Sequence, residues 1–182
     1  VEKPLCLTTD DLNNIKNKLS PTQVLMVGFN RRFAPFINDI KNYIKDLNTP
    51  KAFNFTCNAG FIEENHWTQD PNIGGGRLIG EACHFVDLLR YLSASNIKKM
   101  NLVNCSDTKQ YPDTFCLQIA FSNGDIGTIN YFSNGSKKYS KERLEVFSDN
   151  SVIVMDNYLK LKSWGAKNFK NKRSFFPNKG NK

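Results

Sequence analysis

The chain has 182 residues, 40% hydrophobic and 12% aromatic, which is too apolar for a disordered polymer and long enough to bury the core of one domain, or of one domain plus a piece of another. No uninterrupted apolar run approaches the ~20 residues of a membrane-spanning helix, and VEKPLC lacks the basic and apolar regions of a secretory signal, so the expectation is a soluble, cytoplasmic protein. The net charge of +8 belongs to one end: eight of the 25 Lys and Arg follow the last acidic residue, Asp156, leaving 17 basic against 17 acidic residues in 1–156.

Residues 8–19 predict a helix, with Thr8 or Thr9 as cap, Asp10 and Asp11 at its positive end and Leu12, Ile15 and Leu19 at helical spacing. Ser20-Pro21 stops it. VLMVGF (24–29) is almost wholly apolar and predicts a strand buried on both faces. A second helix is expected over 33–47, with Phe33, Phe36, Ile37, Ile40, Tyr43, Ile44 and Leu47 on one stripe. From Lys51 the period changes to two, through Phe53, Phe55 and Cys57, before a loop runs from Asn65-His66-Trp67 to Gly74-Gly75-Gly76.

A helix over 77–92 follows, then strands at about 97–105, 114–122, 126–133, 142–148, 151–158 and 159–164. Asn123-Gly124 and Asp149-Asn150 predict tight hairpins. The fold class is therefore α+β: an open, mainly antiparallel meander with helices on one face. The basic tail, SWGAKNFKNKRSFFPNKGNK, ends in solvated charge, with nucleic-acid binding as a minor alternative because Trp164, Phe169, Phe175 and Phe176 are available to stack on bases. Cys6, Cys57, Cys83, Cys105 and Cys116 are widely spaced without a C-x-x-C pair, and with His66 and His84 the only histidines, no metal centre is expected.

Chemistry concentrates in the 77–92 helix. At 100° per residue Leu78, Ala82, Phe85, Val86, Leu89 and Leu92 share one face, and Arg77, Glu81 and His84 share another. Glu81 stands three residues before His84, where it can raise the imidazole pKa, and Arg77 can hold an anionic group. The triple glycine opens the helix with free N–H groups, although G-G-G is not the G-x-G-x-x-G of a dinucleotide loop. Glu2-Lys3-Pro4 is a second candidate, since a lysine held before proline can offer its ammonium to a substrate oxygen.

Taken in order, Glu2-Lys3-Pro4, VLMVGFNRRF and GGGRLIGEACHFVDLLRYL resemble the Gfo/Idh/MocA family of NAD(P)-dependent oxidoreductases, and in their wording the members linked to bacterial surface-polysaccharide metabolism. The resemblance implies that residues 1–29 are the end of a Rossmann cofactor domain, 30–165 an α+β substrate and catalytic domain, and 166–182 the basic tail. It implies His84 as acid/base, Lys3 as the cation beside nicotinamide and reacting oxygen, Lys3 and Pro4 as cofactor contacts, and Arg77, Glu81, Arg32 and Trp67 as substrate contacts.

NAD or NADP would serve the full-length enzyme, with a sugar or nucleotide sugar as substrate. A chain beginning at E-K-P lacks the phosphate-cradling turn, so no cofactor is expected on this fragment and it should be inactive alone. Where the family often has Asp four residues before the histidine, this chain has Gly80, with Glu81 as the candidate substitute. That departure keeps open a non-catalytic binding or oligomerisation domain of the same fold. Ile119, Phe121, Ile129 and Tyr131, assigned to the open sheet face, predict a homo-oligomer.

Overall fold

The hydroxyl of Thr8 accepts a hydrogen bond from the Asp11 amide at 3.1 Å and so caps the first helix, α1 (Thr9–Lys18). The computed structural model describes residues 1–70, 72–105 and 113–180; Lys182 of the predicted tail lies outside them. No residue of α1 is buried, and Leu12 is exposed. VLMVGF departs from expectation by joining no sheet. Val24 is 95% exposed, and the segment's described link to the chain start is through Val1, whose carbonyl accepts from Gly28 at 2.8 Å and whose ammonium donates to Met26 at 2.9 Å. A strand buried on both faces needs a ladder on each side, and two bonds to one residue are not a ladder.

The second helix is shorter than its apolar stripe. A 3₁₀ turn (Asn30–Phe33) leads to α2 (Pro35–Ile44), whose first position is taken by a proline that needs no N–H partner there. Phe33 consequently points outward, while Phe36, Ile37, Ile40 and Ile44 are buried.

Among the described residues eight strands, β1 (Ala52–Asn58), β2 (Ile97–Asn104), β3 (Phe115–Phe121), β4 (Ile126–Phe132), β5 (Glu142–Ser148), β6 (Ser151–Asp156), β7 (Lys160–Trp164) and β8 (Lys172–Arg173), form one sheet in the order β2-β3-β4-β1-β5-β6-β7-β8. The α+β fold is as expected, but the sheet is not a simple meander: β1 lies between β4 and β5 and runs parallel to β4. Every other pairing is antiparallel. The β5–β6 turn has Asp149 and Asn150 both in the left-handed region, at φ 48 and 53, as a two-residue type I′ hairpin requires.

The 77–92 helix is broken. It comprises α3 (Gly76–Gly80) and α4 (Cys83–Ser93), and at the break the Arg77 carbonyl accepts from both the Glu81 and Ala82 amides, at 3.0 and 2.9 Å. Helices α2 and α4 cover the inner sheet face, where Phe55 stacks on Phe85 with centroids 4.4 Å apart. A Cβ on Gly127 would lie 2.9 Å from Leu89 Cδ1, so the glycine lets α4 approach β4.

Strand parity corrects the expected open face. Ile119, Phe121, Ile129 and Tyr131 are buried in the core under the helices. The outer face instead carries a row running through ladder partners Ile126, Ala52, Phe147, Val152 and Trp164. Ile126, Phe147 and Trp164 in that row are 57%, 44% and 56% exposed.

The tail is not a free end. Phe169 meets Tyr43 edge to face with centroids 5.2 Å apart, β8 pairs with β7, Lys172 Nζ lies 2.8 Å from Asp39, and Lys179 Nζ lies 2.7 Å from Glu142 Oε1. Apolar contact and ion pairing with the body outweigh the mutual repulsion of its lysines. Phe175 and Phe176 remain exposed. Among the described residues no helix is long and apolar enough to cross a membrane.

Candidate active site

The loop after Trp67 is drawn tight by one acceptor: the Asp70 carbonyl receives the Gly74 and Gly75 amides at 2.9 and 3.0 Å. Glycine is obligatory here. A Cβ on Gly74 would lie 2.4 Å from Thr68 Cα, and Gly75 has φ 69. This closure sets Trp67, Thr68 and Gly74 on one wall of a cavity of about 530 Å³ whose other walls include Lys3, Pro4, Arg31, Lys141 and Glu142. Glu81 and His84, from the α3–α4 break and the first turn of α4, also line it. Lys3 Nζ donates to the Gly80 carbonyl at 2.6 Å.

His84 is half-buried, with Phe29 meeting its ring edge to face at a centroid distance of 6.1 Å. Its Nδ1 is buried with no hydrogen-bond partner among the described residues. Burial first, and then the positive charges of Lys3 and Arg31, push its pKa down to about 4. The imidazole is therefore neutral at ordinary pH and able to accept a proton. This reverses the expected elevation by Glu81: the Glu81 carboxylate raises the value only weakly because it is committed elsewhere, accepting from Tyr131 Oη at 2.5 Å and pairing with Arg77 Nε at 3.4 Å.

Five of the seven expected site residues meet in this cavity: Lys3, Pro4, Trp67, Glu81 and His84. The other two do not. Arg77 is 3% exposed, donates to the Gly60 carbonyl at 2.6 Å, pairs with Glu81 and stacks over the Tyr131 ring, so it is buried behind Glu81 and does not line the cavity. Arg32 grips Asp87, with Nε at 2.6 Å, in a shallow depression on another surface shared with Lys41 and Tyr91. A 3₁₀ turn carries both arginines, and it is the neighbour, Arg31, that faces the cavity.

Sequence reasoning also missed Glu142. Its carboxylate accepts Arg31 Nε and Nη2 at 3.0 Å each, Lys179 Nζ at 2.7 Å and Tyr158 Oη at 3.1 Å. Burial pushes Glu142 up, but the Arg31 and Lys179 charges outweigh it and hold the carboxyl below its usual range. The signal was present: Glu142 alternates in phase with Leu144 and Val146, so an acid occupies a core position. Lys141 has no such signal.

Among the described residues no group of three or more His, Cys, Asp or Glu could hold a metal ion. Lys3 and Pro4 line the cavity that His84 also faces, and a dinucleotide contact by them would use that wall. The sequence contains no G-x-G-x-x-G turn to cradle pyrophosphate.

Residues 45–154 match the model of the GFO/IDH/MocA C-terminal domain. The oxidoreductase YrbE of Bacillus subtilis (strain 168) is 28% identical over 170 residues, covering 86% of this chain and 47% of its own length. Levoglucosan dehydrogenase in complex with NADH and levoglucosan superposes with a TM-score of 0.76 at 21% identity, over 95% of this chain and 54% of that one. An inositol dehydrogenase homologue from Azotobacter vinelandii, complexed with NAD+, gives 0.77 at 17% identity, over 94% and 49%. The chain thus spans about half the length of the relatives it matches. With a broken helix carrying His84 toward Lys3, on a mixed eight-stranded sheet, the chain belongs to the GFO/IDH/MocA family, whose C-terminal domain it contains.

Proposed function

We propose that the whole protein oxidises a hydroxyl of a sugar or sugar derivative, with His84 as the general base and Lys3 as the cation that steadies the developing alkoxide. NAD or NADP, once bound, accepts the hydride. The observation that carries this reading is the convergence of a neutral, half-buried imidazole and an anchored ammonium on the wall of one cavity. Its volume, about 530 Å³, suits a monosaccharide. The names of the relatives, dehydrogenases of levoglucosan and inositol among them, support the substrate class. The wording of the three motifs supports a place in surface-polysaccharide metabolism, and five free thiols suit a cytoplasmic address.

Sugar-dependent reduction of NAD(P)+ by the full-length protein, lost on His84→Ala, tests the proposal. A second reading, a non-catalytic domain of the same fold, is favoured by one observation: no carboxylate is hydrogen-bonded to His84 among the described residues. Absence of turnover with an intact, cofactor-loaded protein would select it.

A further inference from the structure

The cavity holds more positive charge than its carboxylates consume. Lys3, Arg31 and Lys141 line it, together with Glu81 and Glu142. Glu142 is compensated by Arg31 and, from behind the wall, by Lys179. Glu81 is compensated by Arg77. Neither Lys3 nor Lys141 has a carboxylate partner among the described residues. Lys3 donates to a neutral carbonyl, and Lys141 is an exposed residue immediately before β5. Two uncompensated ammoniums at one partly enclosed site make a positive field that a neutral ligand leaves unused.

Given that the cavity is the substrate site, we propose that the substrate carries an anionic group, a carboxylate or a phosphate, and that Lys141 binds it. The two lysines divide the work by position. Lys3 is tied to Gly80, close enough to His84 for its charge to be felt there, which places it at the reacting hydroxyl. Lys141 has its backbone pinned to the end of β1, its carbonyl accepting from the Asn58 amide at 2.8 Å, while its side chain is free to close on a group away from the reacting carbon. A flexible point charge suits either anion without demanding a planar, bidentate geometry. The depressed pKa of His84 agrees with a net positive wall.

Calorimetric titration of the full-length protein with D-glucuronate, D-glucose 6-phosphate and D-glucose tests this without turnover. At least one anion should bind roughly tenfold or more tighter than glucose, as a charge-assisted bond provides, and the arm that does so identifies carboxylate or phosphate. Lys141→Met should erase the advantage, and Lys141→Arg should keep it. Equal binding of glucose and both anions, an advantage that survives Lys141→Met, or an equal loss of NADH affinity in that variant would overturn the proposal. The hydride-transfer reading fails by a different result, the absence of sugar-dependent cofactor reduction with His84 intact.

Discussion

The ammonium of Lys3 lies 2.6 Å from the carbonyl oxygen of Gly80, a hydrogen bond that joins residues 77 positions apart. It fixes the chain's start against the end of α3 and holds a positive charge beside His84. The same glycine is packed from the other side, since a Cβ there would lie 2.6 Å from the Gly74 carbonyl oxygen. Gly80 is thus a contact surface for two loops, and a carboxylate cannot be restored there by simple substitution.

Gly80→Ala is expected to cost about 1–3 kcal/mol through overpacking against backbone, lowering Tm by roughly 2–10 °C for a domain of this size. Gly80→Asp should cost at least as much and give no gain in activity. Differential scanning calorimetry checks both, and an unchanged Tm would mean that the Gly74 loop yields freely.

His84→Ala in the full-length enzyme should lower kcat by roughly 10² to 10⁴ with cofactor affinity nearly unchanged. Because burial, Lys3 and Arg31 depress the imidazole pKa to about 4 from 6.5, the folded state resists its protonation. The stability that follows from neutral His84 is complete above pH 6.5 and declines as pH falls from there toward 4. Lys3→Met removes a cation and should move the imidazole titration upward, as an NMR titration of His84 would record.

Glu142→Gln should be among the most damaging single changes. It leaves Arg31 and Lys179 around a neutral amide, and breaking a buried pair of this kind typically costs about 3–5 kcal/mol. Lys179→Met removes one of the compensating cations and should cost less. Thermal unfolding of the two variants gives the order.

Removing residues 166–180 should destabilise the fold, because Phe169 leaves Tyr43, Lys172 leaves Asp39 and Lys179 leaves Glu142. Urea unfolding should show a lower midpoint, and hydrogen exchange should show faster opening of β7.

Assembly is proposed on the outer sheet face, through the row that includes Ile126, Phe147 and Trp164. Phe147→Lys with Trp164→Glu should convert a dimer or larger homo-oligomer to monomer at tens of micromolar, measured by light scattering. A wild-type monomer would remove this proposal.

How much was legible depended on whether a pattern was local. The strands at 115–121, 126–132 and 142–148 were readable from period-two alternation and turn residues. VLMVGF was equally apolar yet forms no strand, since a strand is completed by neighbours that its own residues do not specify. The helix over 77–92 had an unbroken apolar stripe, but Gly80 packed against Gly74 and a non-helical Glu81 divide it. Lys3 and His84 were found through ordered motifs. That Arg31 and not Arg32 lines this cavity was not legible, because adjacent arginines differ only in the direction the turn gives them. Lys179 reaches Glu142, behind the cavity wall, from a tail whose composition described solvated charge.

The insertion of β1 between β4 and β5 also sets an order of events in folding. Ala52 waits for Ile126 on one side and Phe147 on the other, whereas the β3–β4 and β5–β6 hairpins close through short loops. The middle of the sheet therefore stays open after the β3–β4 hairpin has formed, until β5 can pair with β1. Until residues near 148 have emerged, Phe53, Phe55 and Cys57 belong to a strand with at least one unpaired edge. Non-local closure of this kind slows folding toward the millisecond-to-second range, and it leaves an adhesive strand exposed for that interval.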